Sequence, residues 1–213
     1  MKKSVYSITL LDDLVREIDR RAYLSGTTRS GLINRLLAEQ LGLSTPENRK
    51  QSIFSEMARL LSPDDGFLIN DGGDSLFAVR STIRFKYNPT IRYSVVIYPE
   101  GDECFGELRA TLRTQNESLI SELDRFFAIW QRTEDLVFSR RISTFGGGKF
   151  TRRLLSPANS KNPQALADAA SRYIKLLHTA LSEHFRLTPD ESASAANIAR
   201  LYNSYIDMNN III

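Results

Sequence analysis

The sequence predicts an α+β protein in two parts. A β-α-α unit over residues 1–44 is completed by a second copy of the chain, and a domain over 45–213 packs helices on an antiparallel β-meander. Three observations carry this expectation. The run "VYSITL" (Val5–Leu10) reads as a strand, yet no second strand lies within hairpin reach of it. Two helical patterns follow at once. Beyond about residue 75, three long runs alternate apolar and polar residues, and the chain then turns mainly helical to its end.

"VYSITL" is β-branched and aromatic, with Tyr6, Ile8 and Leu10 on one side and Val5, Ser7 and Thr9 on the other. Leu11, Leu14, Val15, Ile18 and Ala22 then recur at helical spacing, with Asp12 and Asp13 at the positive end of that helix. Gly26 is a natural stop. Thr28 fits the next N-cap, and Leu32, Ile33, Leu36, Leu37 and Leu41 form an apolar stripe ending at Gly42. Thr45 and Pro46 open a third helix that runs to about Leu61. A short "FLIN" strand precedes the long runs 76–87, 90–98 and 104–114, whose turns fall at Asn88-Pro89 and at "PEGDE". A helix over 117–137 follows, then a loop-like "FGGGK", then helices over roughly 163–186 and 189–208. The last opens on a capping box, Thr188 to Glu191, around Pro189.

No apolar run reaches the roughly 18 residues of a membrane span. Ser4, Ser7 and Thr9 interrupt the N-terminal stretch where a signal peptide would be apolar. Cys104 is the sole cysteine, which forbids an internal disulfide and fits a cytoplasmic location. Residues 1–50 hold nine Lys/Arg and six Asp/Glu, and the remainder holds nineteen of each sign. The whole net charge of +3 therefore lies in the first quarter, which points to a polyanionic partner there.

A lone strand leaves its backbone donors and acceptors unpaired. Pairing it with the same strand of a second chain across a two-fold axis makes an antiparallel ribbon, and the four helices of the two chains then enclose Tyr6, Ile8 and Leu10. Val5, Ser7 and Thr9 remain outside, on a ribbon narrow enough for a B-DNA major groove. At "GTTRSG" the first-turn amides of the second helix join the Thr28 and Ser30 hydroxyls and the Arg29 charge in a phosphate site, with Lys2 and Lys3 as further phosphate contacts. On these residues, and on the stretch "TTRSGLINRLL", segment 3–42 resembles a ribbon-helix-helix DNA-binding domain of the MetJ/Arc/CopG type. The resemblance implies that Val5, Ser7 and Thr9 face the bases and that Thr28, Arg29 and Ser30 hold phosphate. Val5 stands where a polar or charged reader is common in the family, and Gly31 where a better helix former is usual.

The larger domain offers less. If its strands are neighbours, one sheet face is apolar and the other carries Arg80, Arg84, Lys86, Arg92, Arg109 and Arg113. That face suits an anion, a nucleic acid or an acidic partner, but a solvated face balanced by acidic residues from elsewhere is the simpler reading. "FGGGKFTRR" (145–153) lacks the spacing of a phosphate-binding loop, because Phe150 follows Lys149 where Ser or Thr belongs. It reads as a flexible basic loop. His178 and His184 point about 120° apart on one helix, and the acidic run around Asp64, Asp65, Asp71 and Asp74 lacks calcium-loop spacing. No cofactor, metal or catalytic group is expected.

The expected function is therefore that of a homodimeric, sequence-specific transcriptional regulator of a bacterium or its mobile elements. Its larger domain would serve oligomerisation, a small ligand or a protein partner. Two alternatives stand beside it: an antitoxin or plasmid-partition component whose C-terminal domain grips a protein, and a DNA-targeted nuclease using Asp64 or Asp71.

Overall fold

The computed structural model describes residues 5–43, 45–70, 75–83, 85, 87–99, 103–157, 160–187 and 190–209. The chain divides into two compact units, Met1–Arg49 and Lys50–Ile213.

The first unit contains α1 (Asp12–Leu24) and α2 (Arg29–Gln40). Asp12 and Asp13 stand in the first turn of α1. Its end is closed by Gly26 at φ 60°, which lets the Ser25, Gly26 and Thr27 amides reach back to the carbonyls of Arg21, Tyr23 and Ala22. Thr28 caps α2, its Oγ1 accepting from the Gly31 amide at 3.1 Å. The two helices meet over a small cluster, Ile18, Ala22 and Leu32, with Leu10 and Ile33 packed against it. Residues 5–11 carry no strand. The expected β-element is thus missing from the single chain: among the described residues no strand pairs with it. It does not join the large sheet either.

The second unit is α+β. Helix α3 (Pro46–Leu60), capped by Thr45 Oγ1 on the Asn48 amide at 3.0 Å, leads through a 3-10 turn at Pro63–Asp65 into a six-stranded antiparallel sheet. Its strands are β1 (Leu68–Asn70), β2 (Phe77–Thr82), β3 (Thr90–Ile97), β4 (Cys104–Leu112), β5 (Ser143–Gly146) and β6 (Lys149–Leu155), in the order β1-β2-β3-β4-β6-β5. Helix α4 (Glu117–Phe138) joins the meander to the β5–β6 hairpin, and α5 (Pro163–Leu187) and α6 (Glu191–Asn209) complete the chain.

Period-2 alternation puts Val79, Ile91, Tyr93, Val95, Leu108 and Ala110 inward, where they share one core with α3, α4, α5 and α6. Gly106 sits at a register shift in β4, and a Cβ there would lie 2.3 Å from the Val96 carbonyl oxygen, so only glycine fits. Three expectations need correction. Strand β2 stops at Thr82, five residues short of the run 76–87, and the chain turns further on, through Tyr87 and Asn88 at positive φ. "FGGGK" is a hairpin turn, not a loose loop. The cap of α6 is Asp190, whose Oδ1 accepts from the Ala193 amide at 2.9 Å; Thr188 and Pro189 lie outside the described residues, as do Lys2, Lys3, Arg84, Lys86, Asp71 and Asp74.

Candidate nucleic-acid interface

Val5 (99% accessible), Ser7 and Thr9 are all exposed, and so are the alternates Tyr6 (84%) and Ile8 (62%). In the lone chain only Leu10 of this segment packs against a core. Leu11, Leu14, Leu37 and Leu41 are exposed as well, so most of the apolar stripe of α2 and the start of α1 is unburied.

Thr28, Arg29 and Ser30 come together at the first turn of α2, all exposed. Gly31 has a reason to be glycine here. A Cβ on it would stand 2.8 Å from Thr27 Oγ1 and 3.1 Å from Thr28 Oγ1, so its absence lets two hydroxyls close over the helix end. Arg29 is not idle. Its Nε donates to Asp19 Oδ1 at 2.6 Å and its Nη2 to the other carboxylate oxygen, a two-pronged bridge from α2 to α1. The Arg29 guanidinium holds the Asp19 carboxyl below its usual range. Ten residues and a turn separate the two, so neither helix's own pattern pointed to the contact.

Elsewhere the polar groups are spent on structure. The amides of Gly147 and Gly148 both donate to the Asp124 carboxylate of α4, at 2.9 Å each, so the glycine turn is already occupied by the protein's own anion. His178 bridges Ser81 (Nε2 to Oγ, 3.0 Å) and Tyr93 (Nδ1 to OH, 3.1 Å), while Ser81 Oγ donates to the Gly66 carbonyl at 2.8 Å. With the Ser81 proton on Gly66, Nε2 must be the donor and Nδ1 must accept from Tyr93. Protons therefore run from Tyr93 through His178 to Ser81, opposite to the direction in which an imidazole would activate a serine. His184 lies between Glu122 (2.7 Å) and the buried Ser194 (2.6 Å). Asp65 pairs with Lys175 at 2.8 Å, and Cys104 Sγ donates to the Gly106 carbonyl inside the sheet. Among the described residues no group of three His, Cys, Asp or Glu could hold a metal, and no helix is long and apolar enough to cross a membrane.

Burial lowers the His178 pKa from 6.5 to about 4. The unfolded chain then binds a proton that the folded chain refuses, so this stabilisation is complete above pH 6.5 and is lost as pH falls towards 4. The loss is at most about 3 kcal/mol. Urea denaturation between neutral pH and pH 4.5 should show His178→Gln with a shallower decline than the wild type. Parallel declines would rule this account out.

Comparison with known protein families, characterised proteins and solved structures gives no match to this chain.

Proposed function

We propose that the protein is a homodimeric, sequence-specific DNA-binding regulator whose residues 5–10 pair with the same segment of a second copy. The observation that carries this reading is the unburied apolar surface of the first unit. Tyr6 and Ile8 stand in solvent beside a cluster of only three buried side chains, which is half a core. A two-fold partner supplies the other half and the missing backbone hydrogen bonds in one step. The ribbon-helix-helix resemblance then assigns the outer side of the ribbon, Val5, Ser7 and Thr9, to the bases of a major groove. Thr28, Arg29 and Ser30 go to the flanking phosphates.

The Arg29–Asp19 bridge refines the phosphate assignment. Arg29 must be shared between a carboxylate and a phosphate, so Asp19 competes with DNA. Selection of bound sequences from a random duplex pool, followed by titration of variants, tests the roles. Ser7→Ala or Thr9→Ala should erode discrimination at one base step by about 1–3 kcal/mol. Arg29→Ala should weaken all sequences alike and flatten the salt dependence, and Asp19→Asn should tighten all sequences alike. A pool that yields no preferred sequence would overturn the reading. So would Arg29→Ala changing base preference while leaving the salt slope intact.

A further inference from the structure

The helices cover one face of the sheet, and the strand register lines up what the other face carries. Arg80 of β2 lies opposite Arg92 of β3, Arg92 opposite Thr111 of β4, and Thr111 opposite Lys149 of β6. At about 4.8 Å per strand this row spans roughly 14 Å. The next row runs Ser94, Arg109, Thr151, and the third holds Glu107 opposite Arg153. Arg80, Arg109, Lys149 and Arg153 are exposed.

The simpler reading of this face required acidic residues to balance it, and the described residues supply few of them. Among the described residues of these rows Glu107 is the single carboxylate, and it is committed to Arg109 at 2.6 Å. Several helical carboxylates are paired on their own elements, as in Glu122–Arg125, Asp168–Arg172 and Glu183–Arg186. Arg80, Arg92, Lys149 and Arg153 have no ion-pair partner among the described residues, and the Nε of Arg92 is buried with no acceptor. Two arginines set directly opposite each other on neighbouring strands repel, which weakens the sheet. A fold that keeps them so gains something an external anion supplies.

We propose that this open sheet face is a second nucleic-acid surface, one that holds a phosphodiester backbone without reading sequence. The first row offers donors in series (guanidinium, guanidinium, hydroxyl, ammonium), a pattern that suits successive phosphates. An acidic protein partner fits less well. Protein interfaces need a buried apolar or aromatic anchor, and in these three rows only Leu68, at the sheet edge, and Val96 are large and apolar. The surface works independently of the N-terminal ribbon.

The test uses the full-length chain and a fluorescein-labelled duplex of scrambled sequence, with affinity followed across a salt titration. It is done in an Ile8→Asp background, which disables the ribbon and leaves the sheet untouched. The background protein should bind, and R80Q/R92Q/K149Q should lower the slope of log K against log salt by about 2.7, or 0.9 per phosphate contact. Affinity at low salt should fall on the order of a hundredfold for the same three contacts. R80K/R92K should keep the slope, and R125Q/R186Q on the helical side should leave it unchanged. The triple variant should melt at a higher temperature, since the repulsion is gone; if it does not fold, K149Q alone should still lower the slope by about 0.9. Absence of binding in the Ile8→Asp background overturns the proposal, whatever becomes of the ribbon. An unchanged slope in the glutamine variants also overturns it, as does polyglutamate displacing the duplex as well as unlabelled duplex does at equal charge.

Discussion

Ile8→Asp should turn the full-length protein into a monomer and remove sequence-specific DNA binding in the same step. In the proposed dimer Ile8 points into the core that two chains share, and the two-fold axis brings two copies of any substitution into that core. A carboxylate there is buried without a partner, twice per dimer, at a cost of several kcal/mol. Even about 4 kcal/mol raises the dissociation constant a thousandfold. The lone chain loses almost nothing, because Ile8 is exposed in it. Sedimentation equilibrium should therefore show a monomer, and the large core of the second unit should keep it folded. Thr9→Ala, on the opposite side of the segment, should leave the dimer intact while eroding base preference. A dimer of wild-type strength in Ile8→Asp would remove this segment from the interface and take the major-groove ribbon with it.

The alternation of "VYSITL" is plain in the sequence, but the single chain carries no strand over residues 5–11. Backbone pairing is a property of two strands, and among the described residues none pairs with this segment, so its pairing rests on the proposed second copy. Where both partners lie in one chain, alternation and structure coincide. Ile91, Tyr93, Val95 and Leu108, Ala110, Leu112 were readable as inward residues and are buried, and the apolar period of 117–137 became α4 with one residue more. Strand β6 was missed because Arg152 occupies an inward position between Phe150 and Leu154, breaking the pattern that marks a strand. Its approach through three glycines read as a loop, although Asp124, distant in sequence, ties that turn down. The basic face was legible residue by residue. The scarcity of counter-charges among the described residues was not, since only the fold decides which carboxylates can reach it.

Arg152 is also where a single substitution should damage the second unit most. It is wholly buried, and its Nε donates to Glu134 Oε1 at 2.7 Å while its guanidinium lies 4.1 Å from the Tyr173 ring centroid. The same carboxylate oxygen accepts from Tyr173 at 2.7 Å and lies 3.5 Å from the Tyr202 hydroxyl, and Trp130 Nε1 donates to the Tyr173 hydroxyl at 2.8 Å. One ion pair thereby joins β6, α4, α5 and α6. Burial disfavours the cation, but the adjacent Glu134 charge outweighs that and keeps Arg152 protonated. Its other oxygen, Glu134 Oε2, is buried without a hydrogen bond, so the carboxylate depends on Arg152 for most of its compensation. Arg152→Ala strands that charge and should cost about 3–5 kcal/mol in urea denaturation. Replacing both partners, Arg152→Met with Glu134→Leu, removes the stranded charge together with its partner and should recover most of the loss. A double variant as unstable as the sum of its two single variants would mean that packing around Arg152, rather than charge compensation, holds these four elements together.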